Sequence, residues 1–277
     1  MKDLNLNKIE YARPFLRWAG GKTWLIKHLR KVKKLDFNNY HEPFLGGAST
    51  YFYLSPNGHS FLSDLNTDLV ETYQTIKDEV NGVIERLRTF KNEEKYYYDI
   101  RETIFENKLD RAAKFIYLNQ TSFNGIYRVN LKGKYNVPYG FREKDYYVDV
   151  ETLKMASLAL INTTIFQGDF YSVMTNINAG DLVFLDPPYT VSHNNNGFIK
   201  YNEKIFSLED QFRLSNMISE IKAIGAYYIL SNAAHKTIKD IFEKGDTRHE
   251  LKRGNAIGGN RATRGQTEEY IFTNIEL

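Results

Sequence analysis

Short apolar runs alternate with helix-like segments along two stretches of the chain, and this alternation predicts a sheet flanked by helices. Runs of strand length lie at residues 41–45, 60–65, 163–167, 182–185 and 226–231. Two further segments, 247–251 and 269–273, are joined by a Gly-rich basic loop and predict an antiparallel pair at one edge. The pattern therefore predicts an α/β fold whose sheet is mostly parallel.

A different pattern fills the middle of the chain. Amphipathic helical segments there precede a Tyr- and Asn-rich stretch that contains no core strand. Residues 126–130 and 135–137 flank Lys132 and Gly133, which is typical of a β-hairpin with glycine at its turn. The predicted domains are an insertion at 77–147 and a sheet-bearing domain formed by 1–76 and 148–277.

Composition restricts the compartment and the kinds of site that the protein can have. No stretch of the 277 residues approaches the roughly 20 continuous apolar residues of a membrane span, and the N-terminus lacks the apolar core of a secretory signal. We therefore expect a cytoplasmic protein without a membrane segment. Cysteine is absent, which excludes disulfides, thiolate metal sites and cysteine nucleophiles. The six histidines are scattered, so no metal site is expected.

The distribution of positive charge says more than its amount, because the formal net charge is only +3. Cations cluster in residues 22–34 and 252–264. A phosphate-facing role explains these clusters, and so does a solvated helix face with a separate loop. Charge alone leaves both interpretations open.

The motif Asp186-Pro187-Pro188-Tyr189 carries the most chemical information. It follows the apolar run 182–185, which places it at the carboxyl end of a strand, where open α/β sheets bind ligands. The prolines fix φ, so the Asp186 side chain and the Pro187 carbonyl can face one pocket as acceptors. The exocyclic amine of a nucleobase is a poor nucleophile because its lone pair is delocalised into the aromatic ring, and two acceptors on its hydrogens would favour attack. Tyr189 can stack on such a base. A Pro-rich turn that merely ends a buried strand is the competing interpretation.

Around this motif, the chain from residue 14 to about 274 resembles the Dam-type adenine DNA methyltransferases. Their motif is Asp, Asn or Ser followed by two prolines and an aromatic residue. The resemblance implies a seven-stranded, Rossmann-like methyltransferase sheet with an inserted target-recognition domain of helices and a β-hairpin. It also implies direct in-line transfer of a methyl group from S-adenosylmethionine to the 6-amino group of an adenine flipped out of duplex DNA.

The N-terminal motif bears on cofactor binding. Residues 14–22 (PFLRWAGGK) are similar to the family's first cofactor motif, which implies that Trp18 and Lys22 contact S-adenosylmethionine. A phosphate-binding loop is the competing interpretation, but Leu16 stands where that loop requires glycine.

A glycine turn and a following carboxylate extend the predicted cofactor site. Residues 41–48 (HEPFLGGA) resemble the family's turn, with alanine in place of its last glycine, and imply that Phe44 and Gly46 lie at the cofactor. Asp64 ends the next strand candidate, where a carboxylate accepts the ribose hydroxyls of an adenosyl ligand. Helix capping is the alternative for Asp64, although Asn66 can serve as the cap instead.

Three more positions complete the predicted cofactor site. Asp169 and Phe170 match the family position that holds the cofactor adenine, by hydrogen bond and by stacking. Helix capping explains Asp169 nearly as well. Asp186 is also expected beside the cofactor.

The inserted segment resembles the family's DNA-reading block at residues 119–140. A β-ribbon fits the major groove, where Arg and Asn suit bidentate contacts to base edges. The resemblance implies that Phe123 wedges into the stack, that Asn124 supports it and that Arg128 reads a guanine. The remaining predicted DNA contacts are Arg17 and Pro138.

Several functions remain open from the sequence. They are adenine methylation, transfer to the 4-amino group of cytosine, methylation of a protein glutamine or an RNA base, and non-catalytic DNA binding. Asp186 and the hairpin favour adenine in DNA, and the presence of every acceptor counts against a non-catalytic role. The Asn124, Arg128 and Pro138 positions motivate a GATC-like target as a hypothesis. Gln120 counts against it, since some members carry a basic group there. The expected partners of a monomeric enzyme are double-stranded DNA and a cognate restriction endonuclease.

Overall fold

The computed structural model describes residues 12–130, 133–141, 149–189, 206–254 and 266–277. Seven strands lie in this part of the chain: β1 Tyr40–Glu42, β2 Ser60–Asp64, β3 Thr163–Gln167, β4 Leu182–Leu185, β5 Tyr227–Ala233, β6 Thr247–Gly254 and β7 Gln266–Thr273. They form one sheet in the order β3-β2-β1-β4-β5-β7-β6. The predicted α/β class with a mostly parallel seven-stranded sheet is confirmed.

The order in which strands are added to the sheet reverses between β1 and β4. β1 pairs in parallel with β2 and with β4, and β4 pairs in parallel with β5. β7 is antiparallel to both β5 and β6, as predicted for the edge. All four residues of β4 are buried, which is typical of a strand covered on both faces. The carboxyl ends of β1 and β4 therefore lie at the topological switch point, where open α/β sheets bind ligands.

Polar caps set the ends of the longer helices. The described helices are α1 Ser49–Leu54, α2 Thr67–Arg88, α3 Glu94–Glu102, α4 Lys108–Thr121, α5 Val150–Leu160, α6 Leu208–Ile224 and α7 Lys236–Phe242. The Asn66 side chain accepts a hydrogen bond from the Leu69 N–H and begins α2, which bends at Glu79. Ser207 and Asp210 form a capping box at the start of α6. None of the helices in the described ranges is long and apolar enough to cross a membrane.

The chain divides into two compact units. The first takes in the chain up to Ile26, Leu45–Ser55 and Ser63–Gln167, and its core forms where α2 packs on α4 and α5. The second comprises Lys27–Phe44, Pro56–Leu62 and Gly168–Leu277. Its core contains large side chains that are at most 1% exposed, namely Tyr40, Phe184, Tyr228 and Phe272.

Several elements differ from their predicted extent. β5 ends at Ala233, β6 ends at Gly254 and β7 begins at Gln266, each beyond its predicted bounds. β1 ends at Glu42 instead of reaching residue 45, because Pro43 has no N–H to donate to a neighbouring strand. The predicted hairpin pairs through an isolated antiparallel bridge between Val129 and Tyr135, not along two full strands. Gly133 has a φ of +74°, as expected for its turn, while Lys132 lies outside the described residues.

Candidate active site

The predicted catalytic turn, residues 186–189, leaves the carboxyl end of β4 at the switch point. Pro187 is buried and Asp186 is half-buried. β4 and β5 stay in parallel register up to the residue before Asp186, which brings Ser231 beside it. The Ser231 hydroxyl donates a hydrogen bond of 3.1 Å to Oδ1 of Asp186. The neighbouring strand therefore orients the carboxylate that the sequence predicts to be catalytic.

Tyr189 is held by two polar groups of the same unit. Its hydroxyl donates to Oε2 of Glu269 on β7 at 2.5 Å and lies 3.3 Å from Oγ of Ser231. Ser231 and Glu269 are both 0% exposed. The hydroxyl end of the ring is thus fixed inside the protein, while Pro188 and Tyr189 keep part of their surface exposed.

Three phenylalanines form an aromatic cluster in the second unit. The rings of Phe44 and Phe170 stack with their centroids 5.4 Å apart, and Phe206 contacts them at 5.7 and 5.6 Å. The Arg213 guanidinium carbon lies 4.8 Å from the centroid of the Phe170 ring. Phe44 remains half-buried, so this cluster offers an aromatic face of the kind that stacks on a planar base.

Asp169 caps a short helix next to this cluster. It accepts a hydrogen bond from the Tyr171 N–H at 3.0 Å at the start of the 3₁₀ helix Phe170–Asn176. It also pairs with Arg213 at 2.8 Å. The capping role that the sequence left open for Asp169 is therefore present, and the ion pair orients Arg213 over the Phe170 ring.

The glycine turn of the first unit is tied to a carboxylate. Gly46 has a φ of +46°, and its N–H donates to Oδ2 of Asp64 at 3.0 Å. Oδ1 of Asp64 accepts from the Asn66 N–H, also at 3.0 Å. Burial raises the pKa of the Asp64 carboxyl above its ordinary value, and the backbone N–H donors oppose this shift. Because Asn66 caps α2, Asp64 is not needed as the cap.

Trp18 and Lys22 lie against the same turn of the first unit. A Cβ atom at Gly46 would lie 2.7 Å from Cδ1 of Trp18, so only glycine fits under the indole. Lys22 is 2% exposed, and its Nζ donates to the Gly20 carbonyl at 2.9 Å. The structure thus brings Trp18, Gly46 and Asp64 together. Lys22 follows Trp18 by four residues in the sequence.

The predicted DNA contacts of the inserted segment are all exposed. Phe123 is 54% exposed, and its N–H donates to the Pro138 carbonyl at 2.9 Å, so these two positions are neighbours. Asn124 has a φ of +57°, an unusual conformation for a residue with a side chain. Arg128 donates to the Asn136 side chain at 2.8 Å. We call Arg17, Phe123, Asn124, Arg128 and Pro138 the ribbon surface.

Arg17 joins the ribbon surface through a buried asparagine. The Asn119 side chain accepts from the Arg17 N–H and donates to the Arg17 carbonyl, both at 2.8 Å. It also donates to the Gly125 carbonyl at 3.3 Å. A Cβ atom at Gly125 would lie 2.4 Å from Cδ of Arg17, so the turn and the arginine are in close contact. Asn119 therefore ties two segments that are 102 residues apart.

Within the described residues, no group of three or more His, Asp or Glu side chains is arranged to hold a metal ion.

Comparison with known proteins identifies the chemistry. The sequence model of the D12 class N6 adenine-specific DNA methyltransferases matches residues 18–257, which is most of the chain. The protein belongs to this family.

Relatives of this D12 class methyltransferase span nearly the whole chain. The type II methyltransferase M1.LlaDCHI of Lactococcus lactis subsp. cremoris is 33% identical, over 99% of both chains. The type II methyltransferase M.MjaIII of Methanocaldococcus jannaschii is 36% identical, over 80% of this chain and 84% of its own. The DNA adenine methylase of Escherichia coli (strain K12) is 28% identical, over 94% of both chains.

The D12 class methyltransferase is thus an enzyme that methylates N6 of adenine in DNA, as the sequence predicted. The family implies S-adenosylmethionine as the methyl donor. Cytosine methylation and a purely binding role are therefore not needed to explain the chain.

Sequence reasoning missed four residues that contact the predicted site of this D12 class methyltransferase. Ser231 and Glu269 contact the catalytic turn, and Phe206 and Arg213 contact Phe170. The available signal was weak: Ser231 interrupts an apolar run on β5, and Glu269 lies in the polar first half of β7. Nothing local in the sequence relates Phe206 or Arg213 to residue 170.

Proposed function

We propose that residues 186–189 hold the 6-amino group of an adenine that has been flipped out of duplex DNA. The observation that carries this proposal is the Asp186 carboxylate, which lies at the carboxyl end of β4 and is oriented by Ser231. An adenine that is stacked inside a duplex cannot reach a carboxylate at the carboxyl end of a central strand, so the base must leave the stack.

In this proposal the amine donates one hydrogen to the Asp186 carboxylate and the other to the Pro187 carbonyl. These acceptors favour tetrahedral geometry at nitrogen, so that its lone pair can attack. S-adenosylmethionine supplies the methyl group. The N–C bond would form as the S–C bond breaks, leaving S-adenosylhomocysteine, and the proton that the amine loses would pass to water. Pro188 keeps the turn rigid, and Tyr189 stacks on the base.

The side chains at the predicted cofactor site suit different parts of S-adenosylmethionine. Asp64 accepts the ribose hydroxyls, because two N–H donors already fix its orientation. Lys22 provides a positive charge for the methionine carboxylate, and Gly46 lets that part of the cofactor approach the backbone. The other proposed cofactor contacts are Trp18, Phe44, Asp169, Phe170 and Asp186.

Phe44 and Phe170 suit the adenine of the cofactor, since they already stack on each other at one edge of the aromatic cluster. Asp169 would accept a hydrogen bond from that adenine while it still pairs with Arg213. A carboxylate oxygen can accept more than one hydrogen bond, so the two roles are compatible.

The ribbon surface suits DNA recognition. In this proposal residues 77–147 form the target-recognition domain, and residues 1–76 with 148–277 form the catalytic domain. Phe123 would fill the space that the flipped adenine leaves, Asn124 would support it, and Arg128 would read a guanine. Arg17 and Pro138 would contact the flanking bases. All five side chains are exposed, as contact with DNA requires.

We also propose a GATC-like target, because Asn124, Arg128 and Pro138 match the family positions and relatives include DNA adenine methylases. The type II names of other relatives favour a restriction-modification system with a cognate endonuclease. The enzyme would act as a monomer in the cytoplasm.

The substitution Asp186→Ala tests the catalytic assignment. We expect the rate of methyl transfer to fall by about 10²-fold or more, since an acceptor aimed at the reacting amine is lost. Binding of duplex DNA should stay within about threefold of wild type, and binding of S-adenosylmethionine should weaken by no more than about 10-fold, because Asp186 is only one of the proposed cofactor contacts. Tritium transfer to DNA and equilibrium binding measure the two effects. Turnover at the wild-type rate would remove Asp186 from the mechanism.

The target sequence is tested in a host that lacks adenine methylation. Plasmid DNA from cells that express the enzyme should carry N6-methyladenine at GATC, as read by modification-sensitive sequencing. Methylated adenines in a different sequence would reject GATC and identify the true site, while Asp186→Ala provides the inactive control.

A further inference from the structure

Four oxygen atoms connect the catalytic turn to two neighbouring strands. They run from Oε2 of Glu269 through the Tyr189 hydroxyl and Oγ of Ser231 to Oδ1 of Asp186, with separations of 2.5, 3.3 and 3.1 Å. Three adjacent strands of the sheet, β4, β5 and β7, contribute to this chain of contacts. The network therefore lies within one of the two compact units, on three adjacent strands.

We propose that Ser231 and Glu269 are positioning residues for methyl transfer: Ser231 fixes the Asp186 carboxylate, and Glu269 fixes the Tyr189 ring. This inference rests on the roles proposed above for Asp186 and Tyr189. Neither positioning residue touches the substrate, because both side chains are 0% exposed.

Hydrogen counting supports a fixed arrangement. Serine and tyrosine each carry one hydroxyl hydrogen, whereas an ionised carboxylate only accepts. The Tyr189 hydrogen is donated to Glu269, and the Ser231 hydrogen is donated to Asp186. Each hydroxyl thus serves one carboxylate, and the charge on that carboxylate strengthens the bond.

The bond from Ser231 sets the rotation of the Asp186 carboxylate about its Cβ–Cγ axis. An acceptor that is rotated away from the amine no longer matches the direction of the N–H bond. Displacements of about 1 Å in a reacting group can lower rates by about 10²-fold. A hydroxyl buried on β5 is therefore well placed to control the rate of the chemical step without contact with the base.

The bond from Glu269 acts on the other end of the turn. The family motif accepts phenylalanine or tryptophan in place of Tyr189, so stacking itself needs no hydroxyl. In this chain the hydroxyl reaches a carboxylate that β7 buries completely. Burial of a carboxylate oxygen is costly unless it is hydrogen-bonded, so the Tyr189 contact also stabilises Oε2 of Glu269.

Ser231→Ala is the first test, with Ser215→Ala as the matched control. Ser215 is a buried serine of α6 that also donates a hydrogen bond of 3.1 Å, but to the Ile241 carbonyl. With saturating S-adenosylmethionine and duplex DNA, we expect Ser231→Ala to lower the single-turnover rate by about 10- to 100-fold. The dissociation constants for both ligands should stay within about threefold of the control, which a merely structural role would not predict.

Glu269→Gln and Tyr189→Phe form the second test. Each should slow single turnover by about 3- to 10-fold, and the double variant should be no slower than the slower single variant, because both changes act on one contact: Gln keeps an acceptor but loses the charge, and Phe loses the donor. Losses that multiply would overturn the role of Glu269. A Ser231→Ala rate within about threefold of the Ser215→Ala control would overturn the role of Ser231.

The Asp186→Ala variant separates this inference from the proposed function. If Asp186→Ala retains the wild-type rate, the catalytic assignment fails and the positioning roles fail with it. If Asp186→Ala loses its rate while Ser231→Ala matches its control, only the positioning role of Ser231 is wrong.

Discussion

At the scale of single residues, local burial and hydrogen bonds give two carboxylates different characters. Asp64 is buried enough that its pKa is raised, and both of its oxygens accept backbone N–H bonds. Asp186 is half-buried, and its Oδ1 accepts a side-chain hydroxyl. The first environment suits a static contact to ribose, and the second suits an acceptor beside a reacting amine.

Asp64→Asn tests the ribose contact through its dependence on pH. The ionised carboxylate accepts ribose hydroxyls more strongly than an amide does, so at high pH the variant should bind S-adenosylmethionine about 10-fold more weakly. As the pH falls through the raised pKa, wild-type Asp64 becomes protonated and the ratio of the two dissociation constants should decrease. Isothermal titration calorimetry between pH 5 and 8 measures this ratio, in which titration of the ligand cancels.

The same raised pKa has a consequence for the unbound protein. Protonated Asp64 is favoured by folding, so its contribution to stability is lost as the pH rises through the pKa of the folded state. A ratio of dissociation constants that stays constant with pH would contradict the ribose assignment for Asp64.

At the scale of elements, the turn before the ribbon depends on a glycine that packs on an arginine. Gly125 has a φ of +64°, and an added Cβ would lie 2.4 Å from Cδ of Arg17 and 3.1 Å from the Asn119 carbonyl oxygen. Gly133, at the predicted hairpin turn, has a φ of +74°, but an added Cβ would meet nothing within 4 Å. The two glycines thus share a left-handed backbone and differ only in crowding.

Gly125→Ala should displace Arg17 and the exposed Phe123, and weaken binding of duplex DNA by about 10-fold or more. Gly133→Ala carries only the left-handed strain of roughly 1 kcal/mol and should weaken it by much less. Fluorescence anisotropy with labelled DNA compares them. S-adenosylmethionine affinity should be unchanged in both variants, and equal effects on DNA binding would argue against the Arg17 contact.

At the scale of the whole molecule, a buried polar pair joins β1 to the residue before β4 and makes stability depend on pH. Nε2 of His41 lies 2.9 Å from Oδ2 of Asp181, and both side chains are 0% exposed. Asp181 also accepts hydrogen bonds from the backbone N–H groups of Asn39 and Asn178. Burial lowers the pKa of His41 below its ordinary value, while Asp181 opposes this shift. The folded protein therefore keeps His41 neutral.

His41→Gln should reduce the dependence of stability on pH. The unfolded chain protonates His41 near the ordinary histidine pKa of 6.5, so the wild-type protein loses stability as the pH falls from about 6.5 through the lowered pKa of the folded state. Glutamine keeps an Nε2 donor for Asp181 but cannot be protonated. Between pH 7.5 and 5.5, urea unfolding should show a smaller decrease in the free energy of unfolding for the variant than for wild type. Equal decreases would mean that His41 does not titrate on unfolding.

The order and type of the elements follow from local patterns, because apolar runs and turn residues act over a few positions. The strands of the sheet, the turn at residues 186–189 and the cap at Asn66 were all predictable on this basis. Pro43 shows the limit: it shortened β1 through a missing N–H that an apolar pattern does not register.

Contacts between distant segments required the folded chain. Which strands become neighbours decides that Ser231 meets Asp186 and that Glu269 meets Tyr189. Asn119 joins Arg17 across 102 residues for the same reason. The residue types that carry the chemistry are encoded locally, whereas the groups that orient them depend on the lateral order of the sheet and on packing, which no short segment contains.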